Sequence, residues 1–185
     1  FNGNKVLTTS GGGALWVREE SLLKEARSWA NQGKAPGVVG YAHESLGYNY
    51  KLSNICAAIG LGQLETVADR LRRKAEVFRG YVSRFADRED ITLMPEPAFG
   101  RNNYWLTCIG FREEGRAPEL VRRLRAEGIE ASPMWQPMHL QHINHDLRCF
   151  RGEASRKISA HFICLPSGTT LSEEDIDRIA SRVLD

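Results

Sequence analysis

Apolar positions along this 185-residue chain change their period several times, and each change predicts an element. Residues 6–9 and 14–17 are short β-prone runs on either side of Gly11-Gly12-Gly13, which predicts two strands joined by a glycine turn. Ser21 can cap a helix that carries Leu22, Leu23, Ala26 and Trp29 on one side, and Asn31-Gln32-Gly33 ends it. Residues 34–50 show no period and read as a long loop rich in Gly, Tyr and His. Loops of that length inside compact domains are more often functional than idle. Ser53 caps the next helix, whose apolar positions run through Ile59, Leu64, Val67, Leu71, Ala75, Phe78, Val82 and Phe85. From Leu64 the steps are three or four, the spacing of an amphipathic helix. Residues 55–61 are apolar on nearly every face, the pattern of a segment buried in a core or a subunit interface.

The pattern shifts at residues 87–100, where Pro95 and Pro97 suggest a linker. Beyond it, strand and helix alternate. Strands are expected at 104–111, 129–131 and 162–165, and helices at 118–127 with Pro118 leading, near 152–160, and at the end. Ser172 with Asp175 three residues on resembles a capping box for that last helix. The organisation read from these signals is two parts, residues 1–88 and 89–185, the second a small α+β domain.

Composition narrows the class. The chain is 42% hydrophobic and 26% charged with a formal net charge of +2, too balanced to point to nucleic acid or a membrane surface. No apolar run reaches the roughly 20 residues of a membrane span. Cys56, Cys108, Cys149 and Cys164 form no C-x-x-C pair, and three of them lie among apolar neighbours. That is the usage of reduced thiols in a cytoplasmic protein.

Three segments can carry chemistry. Lys5 stands in the frame Phe1-Asn2-Gly3-Asn4-Lys5-Val6-Leu7-Thr8-Thr9-Ser10 before the glycines. An amine at such a junction can form a Schiff base with a carbonyl cofactor if it is partly desolvated; otherwise it is a solvated charge. Thr8, Thr9 and Ser10 could donate to a phosphate or carboxylate, or simply shape the turn. The glycines match neither a Walker loop nor a dinucleotide fingerprint, which excludes nucleotide hydrolysis and dinucleotide binding. In Gly47-Tyr48-Asn49-Tyr50-Lys51-Leu52-Ser53-Asn54, Asn49 can offer an amide N–H to an anion near a helix N-terminus or satisfy backbone in an aromatic turn. The loop Pro133-Met134-Trp135-Gln136-Pro137-Met138-His139 is stiffened by its prolines. Trp135 there either meets a ligand ring or packs on the core. His139, His142 and His145 fit no metal-ligand spacing, so no metal is expected.

Taken in order, these segments resemble the DegT/StrS-type pyridoxal-phosphate-dependent nucleotide-sugar aminotransferases. The Lys5 frame is similar to that family's cofactor-lysine segment. The stretch from Gly47 through Ser53-Asn54 into Ala57-Ala58-Ile59-Gly60 and Gly62-Gln63-Leu64 is similar to its subunit-interface segment. Asn103-Tyr104-Trp105-Leu106, the Trp135 loop and Cys164-Leu165-Pro166-Ser167-Gly168-Thr169 match its C-terminal part. The bacillosamine-pathway-like subgroup is the nearest in pattern. It departs at Ala131-Ser132-Pro133 and Gln136, which stand where two cationic side chains are usual.

The resemblance implies an α/β fold: the C-terminal half of an aspartate-aminotransferase-like, fold type I enzyme. Residues 1–88 would then be a remnant of the large cofactor-binding domain with its connecting helix. It implies Lys5 as the catalytic lysine in an aldimine with pyridoxal 5'-phosphate, and Asn49 reaching the cofactor phosphate of a second subunit in a homodimer. It implies Tyr48, Trp135 and His139 at the substrate. The reaction would move an amino group from a donor such as glutamate to a nucleotide-linked 4-keto-6-deoxy sugar, most simply a UDP-sugar. Because the family's chains are longer, the chain is expected to be part of a larger enzyme, cut just ahead of its catalytic lysine. The missing half would carry the acidic partner of the pyridine nitrogen. The competing expectation is an inactive fragment, or a subunit that needs a partner to supply that half.

Overall fold

The computed structural model describes residues 1–37 and 39–185, which fall into two compact units, Phe1–Ala68 and Asp69–Asp185.

The first unit is built on two helices. Helix α1 (Glu20–Ala30) starts one residue before the expected cap: Glu19 takes the N-cap position and makes no side-chain cap bond. The helix ends at Asn31, and Gln32 and Gly33 both turn with positive φ (66° and 63°). At Gly33 an added Cβ would stand 2.1 Å from the Ser45 carbonyl oxygen, so only glycine admits the loop to its place. Helix α2 (Asn54–Glu65) opens as expected, with the Cys56 N–H donating to Ser53 Oγ at 3.2 Å. Residues 6–9 and 14–17 are not strands. Their backbone finds no ladder partner: Lys5 and Thr9 donate to the carbonyls of Asn2 and Phe1, and Leu15 and Trp16 stay exposed. Two isolated bridges, Asn31 with Asn49 and Lys34 with His43, are all the sheet-like pairing among the described residues of this unit.

The single long helix expected from Ser53 onward is two. Helix α3 (Val67–Arg84) follows a break at Thr66, whose ψ of 6° leaves the helical range. The apolar spacing runs through this break and so hides it.

The second unit packs helices on a four-stranded antiparallel sheet. Strands β1 (Ile91–Leu93), β2 (Thr107–Phe111), β3 (Ser132–Pro133) and β4 (Phe162–Leu165) lie in the order β1-β2-β4-β3. Strand β4 falls where the sequence placed it. Strand β1 lies inside the expected linker. β2 begins three residues later than expected, and the expected strand at 129–131 is displaced to β3. Helices α4 (Arg116–Ala126), α5 (Glu153–His161) and α6 (Glu173–Leu184) complete the unit, and α6 carries the capping box of Ser172 and Asp175.

Alternation along the strands sorts the core. Ile109, Phe111, Ile163 and Leu165 join Val77 and Tyr81 of α3, Phe85 just after it, Leu120 and Leu124 of α4, and Ile176 and Ile179 of α6 in one buried cluster. Each such aliphatic or aromatic side chain contributes about 1.5–3 kcal/mol by leaving water. Cys108, Gly110, Phe162 and Cys164 occupy the alternate positions. A Cβ on Gly110 would fall 2.4 Å from the Phe162 ring, so the glycine lets that ring lie flat on its strand neighbour.

The face of α3 also ties down the segment after β4. Tyr81 is fully buried and its hydroxyl donates to the Pro166 carbonyl at 2.9 Å. Lys74 Nζ donates to the carbonyls of Trp105 at 2.9 Å and Ser167 at 2.6 Å, and Arg73 Nε to that of Thr169 at 3.2 Å. Burial lowers the pKa of the Lys74 ammonium and raises that of the Tyr81 phenol.

Candidate functional site

Lys5 is exposed on a tight turn in which its own N–H donates to the Asn2 carbonyl at 3.1 Å. The turn is held from several sides. Thr9 N–H donates to the Phe1 carbonyl at 3.0 Å, and the Phe1 nitrogen to the Gly12 carbonyl at 2.8 Å. Thr9 is almost fully buried, its hydroxyl donating to the Gly11 carbonyl and its methyl against Gly60 of α2, where a Cβ would come within 2.8 Å. Gly12 has φ of 83° and lies against Leu52. Of the three glycines only Gly12 serves the close approach that the sequence suggested; Gly11 and Gly13 have open space where a Cβ would stand. The hydroxyls of Thr8 and Thr9 are spent inside the frame: Thr8 Oγ1 accepts from the Ser10 N–H at 3.1 Å. That is the turn-shaping alternative for these two residues.

Tyr48 and Asn49 lie on a strip pinned to the end of α1. Tyr48 N–H donates to the Trp29 carbonyl at 2.6 Å, Tyr50 N–H to that of Ala30 at 3.0 Å, and Gln32 N–H to that of Tyr48 at 2.9 Å. The Tyr48 and Tyr50 rings stack with centroids 5.0 Å apart. Alternation sends Asn49 to the other side of the strip, where it is exposed. Asn49 thus stands opposite Asn31 through the bonds of its neighbours Tyr48 and Tyr50, and it is exposed.

Trp135 and His139 belong to the second unit. Trp135 is 59% exposed and is no part of the core; its ring stacks on Trp105 with centroids 5.7 Å apart. The loop that carries it is laced by amides. Gln136 Nε2 donates to the Leu140 carbonyl at 2.9 Å, Gln141 Nε2 to that of Gln136 at 3.2 Å, and Asn144 Nδ2 to that of Met138 at 2.9 Å. Gln136, the departure from the expected cationic residue, therefore has a structural use. His139 sits on a 3-10 turn, Met138–Leu140. Its Nε2 is buried without a hydrogen-bond partner among the described residues, and a Cβ on Gly152 would stand 2.7 Å from it. A largely apolar groove of about 750 Å³ opens beside this loop, lined by Met94, Pro97, Arg101, Met134, Ile158 and Phe162.

The motif Asn103-Tyr104-Trp105-Leu106 by itself gives Trp105 no role. Asn102 and Asn103 side-chain oxygens accept from the N–H groups of Tyr104 and Trp105 at 3.0 and 3.1 Å, and Tyr104 holds a positive φ of 49°. An aromatic residue in that conformation is strained and needs such support. Paired asparagines before paired aromatics were the available signal. Among the described residues no group of three or more His, Cys, Asp or Glu could hold a metal ion, and no helix is long and apolar enough to cross a membrane.

Comparison with known proteins places this geometry. Residues 1–184 match the DegT/DnrJ/EryC1/StrS aminotransferase family. The chain is 36% identical to EpsN of Bacillus subtilis, assigned as a pyridoxal phosphate-dependent aminotransferase, over 100% of this chain and 48% of that protein. It is 31% identical to the GDP-perosamine synthase of Caulobacter vibrioides, over 97% of this chain and 49% of that one. The crystal structure of the aminotransferase TlmJ from Streptoalloteichus hindustanus superposes with a TM-score of 0.86 at 23% identity, covering 96% of this chain and 48% of TlmJ. The chain thus spans about half the length of the curated relatives it matches. The fold agrees with the expected portion of a fold type I enzyme.

Proposed function

Since the chain belongs to the DegT/DnrJ/EryC1/StrS aminotransferase family, we propose that it carries the lysine side of a pyridoxal-phosphate-dependent sugar aminotransferase. The observation that carries this reading is the frame of Lys5, a turn whose backbone is pinned by Asn2, Phe1 and the buried Thr9; Lys5 is exposed in this chain, and the desolvation its amine needs would come with the bound cofactor and a second subunit. Such a frame fits a carbonyl cofactor: the residue is accessible while the backbone that carries it is held in place. Pyridoxal phosphate, when bound, supplies the electron sink that lets an amino group pass between donor and acceptor.

The chain's own residues then have separate tasks. Lys5 Nζ holds the cofactor and carries the proton that must move during transfer. Asn49, outward from a strip pinned to α1, offers its amide N–H to the cofactor phosphate of a second subunit in a homodimer. Tyr48 and the Trp135 ring, backed by Tyr50 and Trp105 respectively, offer flat faces to the rings of a nucleotide sugar. His139 has its Nε2 against Gly152, so its ligand contact falls to Nδ1. The acceptor in this reading is a nucleotide-linked 4-keto-6-deoxy sugar, a UDP-sugar first, and the donor is an amino acid such as glutamate, in the cytoplasm.

The test is amine formation from a UDP-linked 4-keto-6-deoxy-hexosamine with glutamate and pyridoxal phosphate, followed by mass spectrometry. The proposal expects product that Lys5→Ala abolishes. Product formed equally by Lys5→Ala would sink it. A second reading, dependence on a partner that supplies the rest of the relatives' length, is favoured by α2, where Ile55, Ile59, Leu61 and Leu64 are all exposed. Under it, activity appears only when a chain bearing that remainder is added.

A further inference from the structure

Cys108 and Cys164 are used by nothing described so far. They are direct cross-strand partners in β2 and β4. Both are buried, 6% and 2% exposed, and their sulfurs lie 3.6 Å apart. Directly opposed residues of an antiparallel pair have Cα atoms roughly 4.5–5.5 Å apart, inside the roughly 4.4–6.8 Å window of disulfides. Closing the bond to about 2.05 Å moves each sulfur by under 1 Å and leaves the strands in register. The register of Ile109 with Ile163 and Thr107 with Leu165 on either side holds the two cysteines face to face. We propose that Cys108 and Cys164 form a reversible oxidation site, a dithiol that a small uncharged peroxide converts to a cross-strand disulfide.

The two sulfurs are not equivalent. Cys164 is favoured as the thiolate because the Cys108 thiol donates to it, with Ser132, its neighbour in β3, assisting; Cys108 correspondingly keeps its proton. The order of steps follows. Cys164 sulfur attacks one peroxide oxygen, forming an S–O bond and breaking O–O, and hydroxide leaves and is protonated to water. Cys108 sulfur then attacks Cys164 sulfur, forming S–S and breaking S–O, and its proton leaves with the departing hydroxide as the second water. Two thiols and one peroxide give one disulfide and two waters, with two electrons passing from the sulfurs to the peroxide. Burial restricts the reagent to something small and neutral. It also shields the sulfenic intermediate from further oxidation, since its resolving thiol is already in contact.

The four free cysteines make the test direct. Cys149 and the half-buried Cys56 are capped on the folded chain with a maleimide. The product is treated with hydrogen peroxide, then unfolded, and its remaining thiols are counted. The expected loss is both remaining thiols, with a Cys108–Cys164 linked peptide under non-reducing conditions and recovery of both thiols by dithiothreitol. A chain carrying Cys56→Ser and Cys149→Ser, without capping, gives the same result. The proposal is overturned if both thiols survive peroxide doses that consume Cys149 in the untreated chain. It is equally overturned if either sulfur goes to sulfinic acid or to an intermolecular bond, or if maleimide labels Cys108 or Cys164 in the folded chain.

Discussion

Tyr81→Phe removes one oxygen from the centre of the second unit. The ring stays, with its stack on Phe85 at 6.2 Å, and so does its packing, because the residue is fully buried. What is lost is the bond from the hydroxyl to the Pro166 carbonyl at 2.9 Å. A neutral hydrogen bond contributes about 0.5–1.5 kcal/mol net, and a carbonyl left unsatisfied in the interior adds to that, so the cost at neutral pH is about 1–2 kcal/mol. The phenol also gives this cost a pH dependence. Burial raises the Tyr81 pKa in the folded state, so the stability linked to its proton is fully present below the unfolded value of about 10. It is lost as pH rises beyond that, by about 1.4 kcal/mol per unit. The phenylalanine variant has no such loss. Its deficit against the parent chain should therefore shrink above pH 10 and vanish near about pH 11. Urea unfolding of both chains by circular dichroism at a series of pH values measures this directly. A deficit that is absent at pH 7, or that stays constant through pH 11, would refute the buried hydroxyl–carbonyl bond.

Three other changes have definite outcomes. Ser172→Ala removes the cap of α6 and should cost about 1 kcal/mol, read as a lower midpoint in the same urea titration with unchanged slope. Asp90 is held below the ordinary carboxylate range first by Arg88 and then by Arg116. Its contribution is present above about pH 4 and lost as pH falls further, so Asp90→Asn should flatten the acid limb of the stability curve while the alkaline limb is unchanged. In Gly33→Ala, a methyl group at φ of 63° would meet the Ser45 carbonyl. It should abolish hydrogen-exchange protection of the Glu44 N–H, which donates to Gly33, and leave protection in the second unit intact; retained protection at Glu44 would count against the loop geometry.

Local chemistry was legible where one residue type has one job. Ser53 and Ser172 announced their helices, and the buried run of β4 was read to the residue. Residues that depend on a distant partner were not legible. Residues 6–9 have strand composition but no neighbouring strand to bond, so they settle into turns around Lys5. Strand β1 is only three residues long and sits between an acidic stretch and two prolines; its strand identity comes from pairing Thr92 with Gly110 across the sheet. The sequence allows Trp135 either in the core or at the surface, and it is at the surface. The stack with Trp105 needed the fold, because it joins residues from two separated segments.

The central claim is that the Lys5 amine is the one this chain offers to a carbonyl cofactor. Incubating the chain with pyridoxal phosphate, reducing with borohydride and locating the pyridoxyl group by peptide mass spectrometry tests it. The account predicts a single dominant adduct on Lys5. Label spread over Lys24, Lys34, Lys51 and Lys157 with Lys5 no more reactive than they are would contradict it.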